Sequence, residues 1–246
     1  MKHIPPVKFS IVVPAFNEER LLGASLAQIK SAAGAFAGRG WDFELIVCDN
    51  NSTDRSAEIA RAAGATVVFE PVNQIARARN CGAAAATGDW LVFVDADSHP
   101  SPELFADVLE QIESGRCLAG GATVRLDEKH LAAGFVTWIW NCASQMGSLL
   151  AGSFIFCETA AFRQLGGFDN ELFAAEELEL SQRLKRRARE TNRKIVILHR
   201  HPLVTSARKM RLYTVWDHFK MLGRVLFNRR ALKSRESCTL WYDGRR

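Results

Sequence analysis

The sequence lacks several motifs that identify common classes of protein. Its six cysteines include no Cys-x-x-Cys pair, so neither a zinc knuckle nor a dithiol redox motif is indicated, and a reducing compartment is favoured. Residues 1–6 lack the apolar stretch of a signal peptide, and we therefore expect a cytoplasmic protein. With 48% hydrophobic and 24% charged residues, the 246-residue chain is expected to form one large α/β domain, or one domain with a C-terminal extension.

Charged side chains are missing from residues 131–157, and this segment is long enough to cross a membrane. Its middle is polar, however, with Asn141 and Gln145, which fit hydrocarbon poorly. A span would also separate Asp97 from Glu177 across the bilayer. We therefore reject a membrane span and expect a buried or interfacial helix followed by a strand.

A glycine-rich phosphate loop is also missing. The first apolar segment, residues 9–13, is followed by Pro14–Glu19 and not by Gly-x-Gly-x-x-Gly. A dinucleotide fold needs glycines there so that the pyrophosphate can approach the helix, and the acidic Glu18 occupies the place of a phosphate. This pattern counts against an NAD enzyme. Asn17 and Glu18 fit hydrogen bonding to a base or ribose better, and Asn17 also suits a helix N-cap.

The charges that are present are unevenly distributed. From Arg183 onward there are 19 Lys and Arg against 4 Asp and Glu, whereas the preceding part has 13 against 23. The C-terminal part therefore either faces an anionic partner or forms a solvated basic surface. Trp216, Phe219, Leu222 and Leu226 recur at helical spacing and predict a basic amphipathic helix, which docks on the domain or lies on the inner face of a membrane. Nucleic acid is the least expected partner, because the tail lacks a known binding module.

Short apolar segments alternate with segments of helical periodicity through the first half of the chain. The strand segments are residues 9–13, 43–48, 66–69 and 90–94, and the helical ones are about 21–33, 54–63, 75–86 and 102–114. Three such alternations before residue 95 predict an α/β fold with a doubly wound, mostly parallel sheet. The second half is less regular, with expected strands at 117–125 and 194–198 and a helix at 176–190.

Two aspartates, Asp95 and Asp97, directly follow the apolar run Trp90–Val94, where open α/β sheets bind their ligands. Carboxylates at i and i+2 on extended backbone point to the same side and repel each other unless a cation lies between them. Hard oxygen ligands of this kind suit Mg²⁺ or Mn²⁺, which in turn suit diphosphate substrates. The alternative is a pair of solvated aspartates in a turn.

Polar residues also follow the second strand. Asp49 and Asn50 stand at its carboxyl end, where a nucleobase could be read by one acceptor and one donor, whereas residues 52–54 fit a turn and helix cap. In the following Ala-rich helix, Arg77 and Arg79 cannot share one face. We expect at least one of them to point to solvent and the other to be able to reach a base or phosphate.

Six segments occur in order and at plausible spacing over roughly residues 8–190, and together they resemble family 2 glycosyltransferases of the GT-A fold. They are Pro14–Glu18, Asp49–Asp54, Ala78–Gly82, Val94–Asp97, Gly166–Asp169 and Glu176–Leu180. The resemblance implies a Rossmann-like, mostly parallel sheet flanked by helices. We accordingly expect a GT-A domain over residues 1–200, with a nucleotide-sugar half at 1–115 and an acceptor half at 116–200. A basic helical extension would follow at 201–246.

The resemblance also implies a nucleotide-diphosphate-sugar donor and a Mn²⁺ or Mg²⁺ ion. Asp97 would be the main metal ligand, with Asp95 touching the ribose or the metal. The residues implied around the nucleoside are Pro14, Ala15 and Glu18, with Asp49, Asn50 and Arg79 around the base. The family often has a second Asp where this chain has Asn50, so the base is not specified.

The acid pair Glu176 and Glu177 would supply the second part of the chemistry. An inverting transfer needs a base for the proton of the acceptor hydroxyl, and in the family pattern this is the second acid of the pair, here Glu177. The alternative is stabilisation of the helix dipole by both acids.

Two further groups have open roles. Residues 205–209 resemble a Ser-x-Arg segment of some small bacterial members, so Arg208 or Lys209 could clamp the diphosphate or lie in a solvated basic loop. His199 and His201, two apart on a strand, could add a metal ligand or be structural.

We therefore expect a metal-dependent inverting glycosyltransferase that uses a hydroxyl or lipid-phosphate acceptor. The alternatives are a polyprenyl-phosphate sugar synthase, a nucleotidyltransferase, and a non-catalytic protein that binds nucleotide sugars.

Overall fold

The computed structural model describes residues 6–128, 131–207 and 231–238, which contain an eight-stranded mixed sheet with a hydrophobic layer on each face. The strands are β1 (Lys8–Ala15), β2 (Asp42–Asp49), β3 (Thr66–Phe69), β4 (Trp90–Val94), β5 (Ser98–His99), β6 (Cys117–Leu126), β7 (Phe154–Glu158) and β8 (Lys194–Thr205). The helices are α1 (Leu22–Ala37), α2 (Ser56–Ala62), α3 (Ile75–Ala85), α4 (Pro102–Glu113), α5 (Leu131–Gly147), α6 (Thr159–Gln164) and α7 (Glu176–Glu190).

The sheet has the strand order β3-β2-β1-β4-β7-β6-β8-β5. The first four of these strands are parallel to one another, which is the doubly wound half expected from the alternation of strands and helices. In the second half, β7 is antiparallel to both β4 and β6, whereas β6 and β8 are parallel. The predicted α/β class with a mostly parallel sheet is thus confirmed.

Aromatic side chains fill the core on both faces of the sheet. On one face the ring of Phe36 stacks on Phe9 at 4.0 Å and on Phe105 at 5.0 Å between centroids. On the other face Phe93 meets Phe168 edge to face at 5.2 Å. Because Phe36 is held between two rings, α1 continues to Ala37 and does not end near residue 33 as expected.

The helix starts differ in how well their caps were predicted. Ser101 caps α4 as expected, since its hydroxyl accepts a hydrogen bond from the backbone N–H of Leu104 at 3.2 Å, and Pro102 takes the first helical position. Helix α1 instead starts at Leu22 without a side-chain cap, so the N-cap alternative for Asn17 is wrong.

The segment without charges folds as a helix and a strand, α5 and β7, in agreement with the expectation for residues 131–157. Among the helices within the described ranges, none combines the length and the apolar character needed to cross a bilayer.

The C-terminal part is described only in places. Strand β8 continues past residue 200 to Thr205, and the basic helix expected from about residue 210 lies outside the described residues. Residues 231–238 return to the domain, where the backbone N–H of Phe173 donates to the carbonyl of Leu232 at 2.7 Å. Leu232 and Cys238 are buried against Leu172.

Close packing of α3 on the sheet generates a stability prediction. A Cβ atom on Gly82 would lie 2.4 Å from Cγ1 of Val12, so Gly82→Ala should lower the free energy of unfolding by about 1–3 kcal/mol. The matched control is Gly34→Ala in α1. Apart from its own helix backbone and chain neighbours, no atom lies within 4 Å of the added carbon, so the free energy of unfolding is expected to rise by about 0.5–1 kcal/mol. Urea denaturation measures both; equal effects would contradict the packing argument.

Candidate active site

Four residues singled out from the sequence meet at the carboxyl edge of the parallel half of the sheet. In the register of β1 and β2, Pro14 lies opposite Cys48 and Ala15 opposite Asp49. Asp95 follows the neighbouring strand β4 directly. The structure therefore brings the ends of β1, β2 and β4 together into one cleft, where doubly wound sheets bind ligands.

The loops after β1 and β2 are joined by hydrogen bonds. Asn17 has a left-handed backbone with φ of 52°, and its side-chain Oδ1 accepts from the N–H of Thr53 at 2.8 Å. Its own N–H donates to the hydroxyl of Ser52 at 3.0 Å, and the N–H of buried Glu18 donates to Ser56 at 2.8 Å. Asn17 thus holds one wall of the cleft against the other.

The side chain of Asn50 is engaged with the protein backbone. Its Nδ2 donates to the carbonyls of Glu70 and Val72 at 3.2 and 2.6 Å, and its Oδ1 accepts from the N–H of Gln74 at 2.9 Å. The amide therefore fixes the loop between β3 and α3. Buried Asp49 accepts from the N–H of Ser52 at 3.0 Å.

Arg79 is the centre of the site. The side chain is only 3% exposed, and its Nη1 lies 2.6 Å from Oε1 of Glu176. Its Nη2 lies 2.9 Å from Oδ1 of Asp95 and donates to the carbonyl of Gly152 at 2.7 Å. Burial disfavours the charge of this guanidinium, but Asp95, Glu176 and Glu177 outweigh that effect and hold the pKa of Arg79 above its usual value. The sequence left open which arginine of α3 faces inward; Arg77 pairs with Glu70 at 3.0 Å instead.

The two acids at the start of α7 have different environments. Glu176 is buried and paired with Arg79. Glu177 is partly exposed, yet burial of its carboxyl and the nearby charge of Glu176 raise its pKa to about 8, against the opposing effect of Arg79. The raised pKa favours the protonated form of Glu177 near neutral pH, and loss of that proton makes the carboxylate a base.

Gly152 was not identified from the sequence. A Cβ at this position would lie 3.0 Å from Nη2 of Arg79 and 3.6 Å from Cδ of Glu177, so a glycine lets the backbone approach both side chains. Gln74 was also missed; its Nε2 donates to the carbonyls of Asn170 and Leu172, both at 2.8 Å. An isolated glycine before an apolar strand is a weak signal for close approach of the backbone, and nothing in the sequence marks Gln74.

Asp97 is buried beside the end of β8, where its carbonyl accepts from the N–H of Ser206 at 3.2 Å. Arg208 and Lys209 lie outside the described residues. His201 contacts α4, with its Nδ1 3.0 Å from Oδ2 of Asp107.

Within the described ranges, no three His, Cys, Asp or Glu side chains group in a way that could hold a metal ion. Two carboxylates, Asp95 and Asp97, remain at the edge of the sheet. A donor set of this kind fits Mg²⁺ or Mn²⁺, because such ions are often held by one or two carboxylates and complete their shell with water and substrate phosphates.

Comparison with known proteins identifies relatives that are longer than this chain. The undecaprenyl-phosphate 4-deoxy-4-formamido-L-arabinose transferase of Pseudomonas fluorescens is 32% identical over 171 residues, which are 65% of this chain and 48% of that protein. The dolichol-phosphate mannosyltransferase of Pyrococcus furiosus is 29% identical over 124 residues, 47% of this chain and 33% of that protein. The chain thus spans about half or less of the length of these two relatives.

Solved structures share the fold at low sequence identity. The mannosyltransferase PcManGT from Pyrobaculum calidifontis, in complex with GDP-Man and Mn²⁺, gives a TM-score of 0.65 at 19% identity and covers 89% of this chain and 65% of that one. The glucosyl-3-phosphoglycerate synthase from Mycobacterium tuberculosis, in complex with Mn²⁺, UDP and glucosyl-3-phosphoglycerate, gives 0.63 at 21% identity, covering 89% and 76%. Both support the expected GT-A architecture.

The decisive comparison is with a family model. The model described as glycosyl transferase family 2 matches residues 10–163, which include the ends of β1, β2 and β4 and the whole of α3. The match covers more than half of the chain, and the chain therefore belongs to glycosyl transferase family 2.

Proposed function

We propose that this protein transfers a sugar, with inversion, from a nucleotide-diphosphate donor to an acceptor and uses a divalent metal ion. The observation that carries the proposal is the buried contact of Arg79 with both Asp95 and Glu176. This contact joins the carboxylate pair that suits a metal–diphosphate complex to the acid pair that suits an attacking acceptor. A nucleotidyltransferase is disfavoured by the family match.

The donor half of the proposal uses the edge of the parallel sheet. Pro14, Ala15 and Glu18 would line the nucleoside, with Asp49 near the base, and Asn50 would shape the pocket by fixing the neighbouring loop. The solved relatives of this fold were crystallised with GDP-Man or with UDP, which supports a nucleotide ligand without choosing the base.

Asp97 and Asp95 would hold Mn²⁺ or Mg²⁺. Such an ion supplies positive charge for the diphosphate as it leaves. Asp95 also keeps one carboxylate oxygen on Arg79, so the guanidinium fixes the orientation of this ligand. Arg208 is proposed as a second cation for the diphosphate, at a position outside the described residues.

Glu177 would be the general base. The acceptor oxygen attacks the anomeric carbon while the bond from that carbon to the diphosphate oxygen breaks, and the hydroxyl proton passes to Glu177. A single displacement of this kind inverts the anomeric centre. Glu176 stays paired with Arg79, and the positive charge of Arg79 limits the rise in the pKa of Glu177 that burial and Glu176 cause.

A second candidate is synthesis of a polyprenyl-phosphate sugar. The names of the two relatives above favour it, because both contain a lipid phosphate. A phosphate acceptor is already ionised and needs no base. Under this candidate, Glu177→Gln would retain transfer to a polyprenyl phosphate and lose only hydrolysis of the donor.

Loss of the proposed metal ligand should abolish metal-dependent nucleotide binding. With Mn²⁺ at saturation and UDP or GDP at about 100 times its dissociation constant, we expect the wild-type Tm to rise by several degrees, since such binding adds about 2.7 kcal/mol. Asp97→Ala should show no such rise. Asp42→Ala, at the exposed start of β2 and the opposite edge of the sheet, is the control and should behave as wild type. If the Tm of Asp97→Ala rose as much as that of wild type, Asp97 would not be a metal ligand.

The raised pKa of Glu177 predicts a pH-dependent rate. For donor hydrolysis, kcat/KM should rise with pH and level off near pH 8, where Glu177 loses its proton. Glu177→Gln should lower kcat/KM for donor hydrolysis by about 10²–10⁴-fold and remove its rise with pH. Glu190→Gln, at the exposed end of the same helix, serves as control. If kcat/KM of Glu177→Gln rose with pH as in wild type, the base would be another group.

The same pKa predicts how stability depends on pH. Folding raises the pKa of Glu177 from its ordinary 4.5 to about 8, so between these values the folded state binds the extra proton and this contribution to stability falls as pH rises. The side chain of the Glu177→Gln variant cannot ionise. As pH rises across that window, the free energy of unfolding of the variant should therefore increase relative to that of wild type, by at most about 1.4 kcal/mol per pH unit. Urea denaturation of both proteins at pH 5 and pH 8.5 measures the difference in their free energies of unfolding. If the advantage of the variant became smaller as pH rose, the raised pKa of Glu177 would be contradicted.

A further inference from the structure

Helix α5 exposes an apolar face. We define this α5 face as Phe135, Trp138, Ile139 and Met146, which lie on one side of the helix. Phe135 and Trp138 are each 61% exposed with stacked rings 6.0 Å apart, and Met146 is 90% exposed. They are four of the six large hydrophobic side chains that are exposed among the described residues. The helix contains no charged residue, so contact with an apolar partner would bury no charge of α5.

The opposite side of α5 attaches the helix to the domain through polar groups. Asn141 bonds the backbone of Val124 on β6 twice, accepting from its N–H at 3.0 Å and donating to its carbonyl at 2.9 Å. Ser144 is buried and donates to the carbonyl of Leu149 at 2.6 Å. A surface helix normally turns its apolar side to the core, whereas α5 also leaves four large apolar side chains exposed.

Positive charge lies near the C-terminal end of α5. Lys185 of α7 donates to the carbonyl of Gly147, the last residue of α5. Arg189 follows one turn further along α7 and is close enough to act on the pKa of Lys185. An apolar helix face bordered by cations matches an interface with anionic lipid headgroups above acyl chains.

The α5 face is connected to the active site by a short piece of backbone. Met146 is six residues before Gly152, whose carbonyl accepts from Arg79. The next residue, Ser153, accepts from the N–H of Asp95 at 3.2 Å. Six residues of extended chain span at most about 20 Å, so Met146, at the C-terminal end of the α5 face, lies within about that distance of Gly152.

We propose that this protein rests on an anionic bilayer through the α5 face, and that this orientation presents the cleft to a lipid-linked acceptor. The presentation of a lipid-linked acceptor rests on the proposed glycosyl transfer, whereas the contact with the bilayer rests on helix α5 alone. The bilayer contact is reversible, because one short apolar face needs the added attraction of anionic lipid to hold it. It gives the interfacial alternative for residues 131–157 a specific surface, and it does not involve the basic C-terminal helix expected from about residue 210.

The proposal is tested by sedimentation of the full chain with phosphatidylcholine vesicles, with and without about one-third phosphatidylglycerol. We expect wild type to bind the anionic vesicles and to dissociate as NaCl is raised. Phe135→Ser/Trp138→Ser should weaken binding roughly tenfold or more. Phe69→Ser is the matched control, because Phe69 is 57% exposed on β3, outside the α5 face, and should bind as wild type.

Three results would overturn the proposal. The first is unchanged vesicle binding by the double variant. The second is a fall in its lipid-free Tm of more than about 4 °C, since substitution of exposed residues should leave stability nearly unchanged and such a fall would mean that the face is packed against protein. The third is a dimer in light scattering that the double variant dissociates. Vesicle binding is measured without nucleotide, so its failure is distinct from a failure of donor hydrolysis.

Discussion

A single buried guanidinium connects the end of β4 with the start of α7. Arg79 projects from α3, and its acceptors come from the end of β4, from the loop before β7 and from the start of α7. A charge this deeply buried is tolerated only when its partners are charged or strongly polar, and removing one side of such a pair typically costs about 3–5 kcal/mol. The arrangement of Asp95, Gly152 and Glu176 is therefore fixed by one side chain.

The same contact gives two adjacent carboxylates different environments. Glu176 pairs with Arg79, while burial of the Glu177 carboxyl and the nearby charge of Glu176 raise the pKa of Glu177. A carboxyl with a raised pKa is suited to exchanging a proton nearer neutral pH. Both acids also begin α7, so the helix-dipole alternative and the proposed catalytic role are compatible.

The acceptor side is held by contacts that cross the domain. Gln74, just before α3, donates to the backbone carbonyl of Leu172, and Leu172 packs against Leu232 and Cys238 from the C-terminal segment. The chain that leads into Glu176 is thus fixed by Gln74, just before α3, and by residues 231–238. Helix α5, held to β6 through Asn141, leaves an apolar surface exposed, which is the feature that the proposed bilayer contact requires.

The sequence by itself determined the strands at residues 66–69 and 90–94, the helix at 176–190 and the aspartates that follow β4, because apolar runs and breakers are local signals. The ordered motifs were also enough to place the chain in its family. Only the tertiary structure decided that Arg79 contacts both Asp95 and Glu176, that the amide of Asn50 is used by backbone, and that His201 meets Asp107. Each of these depends on what another element, distant in sequence, presents to the side chain, and local pattern carries no information about that partner.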